Sequence, residues 1–441
     1  MDEALRYLLS LGHETVAIKL GLQNIERLLD ALGRPQLDFP AVQIAGTNGK
    51  GSTAVMLEAI CRAARITTGL YTSPHLVKIT ERIRTNGQEI PDEEFARLIR
   101  LVRERAERLL KDGELATLPT FFEHVTAAAL LAFSEARVRL AILETGLGGR
   151  LDATTAARAS VIAITPIALD HQEYLGQSIT EIASEKAAII RPGVTAIIAP
   201  QPPQAQEVIL KRCAASDVEP RLLDDRAASV LGADETGRLR VRIRTATDCY
   251  DDLRLGLRGR HQLTNARVAI HLAEALRASG FDIPRAAIIE GIESARHKGR
   301  LELWAGRPSM LFDGAHNEAG ALALRAYLDE HITAPITMIF GAMRDKALRE
   351  IAATLFPAAA RLILTRPESP RAASAEEIES YVPTGIDSSR IALASSADEA
   401  LRLALAQTPP GGLILITGSL YLVGEIQRTL REQAAHSSSE D

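Results

Sequence analysis

Short apolar runs and longer helical stretches alternate along the first half of the chain. Ala41–Ala45, Arg139–Leu143, Ser160–Ile164 and Thr195–Ala199 are short and largely β-branched or apolar, and most end at glycine or proline signals. Between them, Ser52–Ala64, Phe95–Leu110, Phe122–Phe133 and Ile179–Ile190 carry helical periodicity. Strand, crossover helix and strand in succession predict a mostly parallel sheet covered by helices. The stretch Arg221–Arg254 breaks the pattern: it is charged and strictly alternating over Leu239–Ile243, which predicts an antiparallel hairpin or an edge element. A long helix is predicted over Gln262–Ser279, with Ala266, Ala269, Ile270 and Ala273 on one face. A second α/β series follows, with strands predicted at Met310–Phe312, Ile336–Phe340, Arg361–Leu364, Ile391–Leu393 and Leu413–Ile416. Polar, glycine-terminated residues between the series predict a domain boundary. The expected division is 1–295, a linker at 296–299, a smaller domain at 300–435 and a flexible serine-rich tail at 436–441.

Composition narrows this picture. The 441 residues are 46% hydrophobic and 24% charged with a net charge of −5, which excludes disorder as the dominant state. Length alone suggests about three domains, whereas the order of elements supports two. The mild acidity argues against a general grip on nucleic acid. Three scattered cysteines exclude a disulfide scaffold and fit a reducing compartment. No apolar run is long enough for a membrane helix and the first residues lack a signal-peptide layout, so a cytoplasmic enzyme is expected, with no membrane partner.

The strongest local signal is Gly46-Thr47-Asn48-Gly49-Lys50-Gly51-Ser52, directly after a strand and directly before a helix. Glycines let successive N–H groups curl around a polyphosphate, and the helix N-terminus adds partial positive charge. Lys50 is placed to neutralise phosphates, and Ser52 or Thr53 to reach a metal ion. The spacing is not that of a regular GxxxxGK[ST] loop. The plain alternative is a glycine-rich turn with an incidental lysine.

Further motifs follow in order: Leu70–Leu76 (LYTSPHL), Glu81–Arg84 (ERIR), Glu144–Thr154 (ETGLGGRLDAT), Leu169–His171 (LDH), Glu185–Ala187 (EKA), His261–Ala266 (HQLTNA), Gly299–Glu302 (GRLE), Asp313–Asn317 (DGAHN), Asp345–Lys346 and Thr417–Ser419 (TGS). Together with GTNGKGS they resemble the folylpolyglutamate synthase/dihydrofolate synthase family of the Mur ligase superfamily, over Leu11 to Glu425. The chain departs from the family pattern at Gln43, Thr155 and Ala188, where histidine, asparagine and glycine are common. The resemblance implies an N-terminal P-loop ATPase-like α/β domain with a parallel sheet, then a smaller Rossmann-like α/β domain. It implies an ADP-forming ligase that adds L-glutamate to dihydropteroate, to the γ-carboxylate of folates, or to both, through an acyl phosphate. Extension of folates alone is the narrower alternative.

The resemblance also implies the residue roles. ATP would lie against Gly46–Ser52 with Asn265, Arg300, Asp313 and His316 from the domain junction. Two Mg²⁺ ions would take Ser52, Ser73, Glu144 and His171 as ligands, with room for a monovalent cation. By composition alone His171 would be a structural histidine, since nitrogen is not magnesium's preferred donor. Lys186 would carry a carbamate; its helix spacing alone favours a surface pairing with Glu181 or Glu185. The pteridine substrate would meet Arg82, Thr120, Phe121, Phe122, Glu123, Leu151, Asp152 and Ala153, with at most one of the two phenylalanines facing it. Asp345, Lys346 and Ser419 would serve glutamate binding or domain closure, with Asp345 and Lys346 at the start of a helix. Lys50, Arg82, Arg84 and Arg300 would gather positive charge in one cleft, and a monomer is expected. Two rivals differ in class. Mur-type cell-wall ligases carry an extra N-terminal domain, for which a loop beginning at Gly46 leaves no room; P-loop switch proteins call for a regular loop and switch segments.

Overall fold

The computed structural model describes residues 1–12 and 21–437. The larger domain is built on eight strands: β1 (Ala41–Ala45), β2 (Thr68–Tyr71), β3 (Ile83–Thr85), β4 (Gln88–Glu89), β5 (Leu140–Glu144), β6 (Val161–Ile164), β7 (Thr195–Ile198) and β8 (Arg221–Leu222). Their spatial order is β4-β3-β2-β5-β1-β6-β7-β8. All pairings from β2 to β8 are parallel, and β3 and β4 add an antiparallel edge. The strand period of two decides which core each residue joins. Ala41 and Ala45 face one layer of helices, including Asp92–Lys111 and Phe121–Glu135. Val42 and Ile44 face the other, formed by Lys50–Ala63, His261–Ala278 and Arg285–Ser294. Both faces are covered, which explains why the central strands read as continuous apolar runs.

The alternating charged region holds more than a hairpin. Arg221–Leu222 pairs with β7 as the last strand of the main sheet. The residues beyond it form a three-stranded antiparallel sheet, β9 (Ala228–Ala233), β10 (Arg238–Arg244) and β11 (Cys249–Arg258), in the order β11-β10-β9. Leu239, Val241 and Ile243 point into the same core as the Lys50–Ala63 helix, while Arg240 and Arg242 pair with Asp252 and Asp251 at the surface.

The smaller domain has strands β12 (Glu302–Trp304), β13 (Ser309–Phe312), β14 (Ile336–Phe340), β15 (Arg361–Thr365), β16 (Ile391–Ala394) and β17 (Leu413–Thr417), ordered β12-β13-β17-β14-β15-β16. Only β12 runs antiparallel to its neighbour. The five strands expected here are all present. Asp345 and Lys346 do not open a helix as expected; they lie in a turn, and the helix begins at Leu348. The last helix, Leu420–Ser437, runs into the segment expected to be a flexible tail; 438–441 lie outside the described residues. No helix among the described residues is long and apolar enough to cross a membrane.

Candidate active site

The loops at the C-terminal ends of both parallel sheets open into one cavity of about 510 Å³. Such sheets bind ligands at that edge. Register sets the first contacts: Ile44 lies beside Glu144, so the loop after β1 and the carboxylate ending β5 emerge next to each other. The Lys50–Ala63 helix starts inside the loop, so its first N–H groups face the cavity. Gly49 has φ +90°, and a β-carbon there would stand 2.1 Å from Asn265 Oδ1. At Gly51 it would stand 3.2 Å from Glu144 Oε2. The loop is therefore pressed against its neighbours with no space for side chains. Lys50 folds back over it, donating to the carbonyls of Gly46 and Thr47 at 3.2 Å each.

Lys186 behaves otherwise than its helix spacing suggests. It is only 4% exposed and donates to the Gly46 carbonyl at 2.8 Å rather than pairing with Glu181 or Glu185. Burial, reinforced by the charge of Lys50, pushes its amine down to about 7. Burial also raises the Glu144 carboxyl, against the pull of Lys50 and a hydrogen bond from the Ser73 N–H at 3.1 Å. Burial lowers His171 to about 3, although Asp170 opposes it.

The residues expected at the pteridine end divide into two groups. Phe122, Leu151, Asp152, Ala153, Thr120 and Glu123 line the cavity. Phe121 does not; it is buried in the core, with the Arg82 guanidinium 5.5 Å from its ring centre. Arg82 itself is 1% exposed, donates to His75 Nδ1 at 2.9 Å and does not reach the main cavity. Thr120 and Glu123 are engaged with each other as a capping box: the Glu123 carboxylate accepts from the Thr120 N–H at 2.7 Å and Thr120 Oγ1 accepts from the Glu123 N–H at 3.2 Å. The Asp152 carboxylate accepts from the N–H groups of Gly146, Leu147 and Thr154 and from the Thr154 hydroxyl, so it organises its own loop. Gln43 and Thr155, both departures from the family pattern, are bonded to each other at 2.8 Å, and Gln43 also reaches Thr154.

From the junction and the second domain, Asn265, Arg300, Asp313, His316, Lys346 and Ser419 all line the cavity. Asp313 accepts from the N–H groups of Leu301 and Ala315, which ties the linker exit to the loop after β13. Asp345 stays outside and instead holds Arg371, a cavity residue, through both carboxylate oxygens at 2.8 Å. Sequence reasoning missed Asp170, though it lies inside the Leu-Asp-His motif. Its carboxylate meets Lys346 Nζ at 2.5 Å, Asn317 Nδ2 at 3.0 Å and His316 Nε2 at 3.4 Å, so the two domains meet on it. Burial works against its ionisation, but His316 and Lys346 hold its carboxyl well below the usual range. His297 was missed as well. It belongs to the linker, which is threaded between the domains rather than loose, and its ring lies 3.1 Å from Ser52 Oγ. Burial, with Arg300 and Arg84 nearby, lowers it to about 3, so the ring is neutral.

No group of three or more His, Cys, Asp or Glu that could hold a metal ion occurs among the described residues. The set present suits magnesium nonetheless. Glu144 and the Ser52 and Ser73 hydroxyls are oxygen donors at one rim of the cavity, and the buried His171 Nδ1 has no hydrogen-bond partner among the described residues. Magnesium takes few protein oxygens and completes its shell with water and phosphate.

Two family models match: the Mur ligase middle domain over residues 44–273 and the Mur ligase, glutamate ligase domain over 299–420. The Bacillus subtilis dihydrofolate synthase/folylpolyglutamate synthase is 33% identical over 428 residues, covering 95% of this chain and 97% of that one. The structure of Mycobacterium tuberculosis folylpolyglutamate synthase complexed with ADP and AMPPCP superposes with a TM-score of 0.87 at 32% identity, covering 97% and 98% of the two chains. The structure of E. coli FolC in complex with DHPP and ADP gives 0.86 at 29% identity, covering 98% of each.

Proposed function

The chain belongs to the folylpolyglutamate synthase/dihydrofolate synthase family of ATP-dependent Mur ligases, and from that premise we propose that it joins L-glutamate to dihydropteroate and to the γ-carboxylate of folates. The observation that carries the reading is the single cavity, bordered by the phosphate loop, by the Phe122 and Leu151–Ala153 surface, and by the second-domain residues Asp313, His316, Lys346 and Ser419. Three substrates that must react in sequence thus have three adjoining walls. A solved relative holding ADP and DHPP together supports the nucleotide and pteridine assignments.

A carboxylate does not condense with an amine at neutral pH without activation. In the proposed sequence a substrate carboxylate oxygen attacks the γ-phosphorus of ATP, the bond to the β-phosphate oxygen breaks and ADP leaves. The glutamate amine, having lost a proton, attacks the carbonyl carbon of the acyl phosphate. The tetrahedral adduct then loses a second nitrogen proton to solvent and collapses to the amide as phosphate departs. Such transfers depend mainly on positioning and charge neutralisation. Lys50 and the loop N–H groups would hold the phosphates, Arg300 and His316 would approach from the second domain, and Phe122 would stack on the pteridine ring. Ser52, Ser73, Glu144 and His171 would hold two Mg²⁺ ions, which neutralise phosphate charge when bound. Lys186, whose amine burial lowers to about 7, is suited to bind carbon dioxide as a carbamate and so to present oxygen atoms to that site; a monovalent cation remains part of the reading.

Purified protein given MgATP, L-glutamate and dihydropteroate is expected to release ADP over many turnovers only when all three are present, and to yield dihydrofolate. Reaction with folates but not dihydropteroate would narrow the activity to chain extension. Sustained ADP release with neither glutamate nor a pteridine substrate present would overturn the ligase reading in favour of a nucleotide switch.

A further inference from the structure

His297 lies outside every motif used above, yet it links the inter-domain segment to the phosphate loop. Its Nδ1 is 3.1 Å from Ser52 Oγ, and its Cε1 is 2.9 Å from where a β-carbon on Gly51 would stand. Apart from His297, the Ser52 hydroxyl has one side-chain hydrogen-bond partner among the described residues, Gln262 Nε2, which donates to it at 3.4 Å. Gln262 is in turn fixed by Asn265 Nδ2 at 2.9 Å and by the His261 ring at 3.0 Å. A hydroxyl has one proton to donate and two lone pairs. A neutral imidazole with its proton on Nε2 accepts a hydrogen bond from the Ser52 O–H at Nδ1. That leaves one oxygen lone pair turned to Gln262 and the other toward the cavity.

We infer that His297 is a positioning residue that fixes the Ser52 hydroxyl with its O–H donated to the linker and its oxygen facing the divalent cation of the bound nucleotide. The inference rests on the proposed reading of Ser52 as a magnesium ligand. It assigns the linker a part in nucleotide binding beyond joining the domains. The segment is stiff enough for that part: Lys298 pairs with Glu89 at 2.9 Å, and the Gly299 N–H donates to Glu302 at 2.7 Å. A change in the angle between the domains would carry His297 with it and turn the serine away from the metal.

Binding of fluorescent ADP, measured with Mg²⁺ and with a chelator, tests this without relying on turnover. Wild-type protein is expected to bind more tightly with Mg²⁺. His297→Phe should cut that metal-dependent gain about tenfold, with a smaller change in metal-free affinity. His297→Asn, which keeps a hydrogen-bonding group near the Nδ1 position, should restore most of it. Ser52→Ala should lose the same gain, and adding His297→Phe to it should cost nothing further, as for two residues acting through one interaction. If His297→Phe does not fold, His297→Gln displaces the acceptor by one methylene and carries the same expectation. A full metal-dependent gain in the folded Phe or Gln variant would overturn the role of His297 alone. Wild-type protein that binds no nucleotide, or binds it equally with and without Mg²⁺, would overturn the reading of the loop on which the inference stands.

Discussion

Lys186 shows what a single residue's position in space adds to its position in a motif. On the Ile179–Ala187 helix its neighbours along the chain are Glu181 and Glu185, and a surface ion pair is the natural expectation. Its burial against the Gly46 carbonyl depends on the packing of that helix under the phosphate loop, which no local pattern encodes. The motif was legible; the environment was not. The environment is also what gives the residue chemistry. With its folded value lowered to about 7, the amine is protonated below that pH and neutral above it. Only the neutral amine adds to carbon dioxide: the N–C bond forms, a C=O bond becomes C–O⁻, and one proton goes to solvent. Activity in bicarbonate buffer should therefore fall as pH drops through about 7. Lys186→Ala should lower kcat about 100-fold, in the range seen when groups supporting a metal site are removed. Acetate or propionate should recover part of it in a pH-independent manner. Normal activity in Lys186→Ala, with no response to short carboxylates, would remove the carbamate from the mechanism.

At the scale of elements, the central strands and the helices between them were readable because burial on both faces leaves an unbroken apolar run. Strands β2, β3 and β4 were not, since they are short and interrupted by glycine and charged residues whose partners lie elsewhere in the sheet. The segment Thr120–Glu123 was legible as a motif but ambiguous in role. Thr-x-x-Glu before an apolar run is also a helix start, and the reciprocal bonds of Thr120 and Glu123 answer it in that sense. Phe122, by contrast, is free to face the cavity while Phe121 goes to the core. Thr120→Ala should thus cost about 1 kcal/mol in urea unfolding, the usual loss for an N-cap. Its KM for the pteridine substrate should change little, whereas Phe122→Ala should raise that KM in addition to the stability lost from its packing against Tyr71. A Thr120→Ala protein of unchanged stability but with a raised KM would reassign the threonine from capping to substrate contact.

At the scale of the whole molecule, the net charge of −5 looked unsuited to anionic substrates, and the expected remedy was a cluster of Lys50, Arg82, Arg84 and Arg300 in one cleft. Lys50 and Arg300 do line the main cavity; Arg82 is buried behind it, and Arg84 borders a small pocket beside it. Arg150, Lys186 and the second-domain Arg371 line it as well, and the second domain adds Lys346, which is already matched by Asp170 of the first. Long-range pairing of this kind joins residues 176 apart in the chain and leaves no local trace. Both side chains are nearly buried, at 7% and 6% exposure. A buried pair that loses one partner leaves an uncompensated charge, at a cost of roughly 3–5 kcal/mol. Here that cost can be escaped without unfolding, because separation of the domains would return Lys346 to water. Asp170→Asn should therefore loosen the domain arrangement rather than the domains. The radius of gyration from small-angle scattering should rise, kcat should fall and KM for glutamate should increase, with little change in thermal midpoint. Lys346→Met removes the stranded charge, so combining it with Asp170→Asn should recover compactness without recovering kcat. An Asp170→Asn protein with the wild-type scattering profile and unchanged kinetics would show that the contact between domains does not depend on this pair.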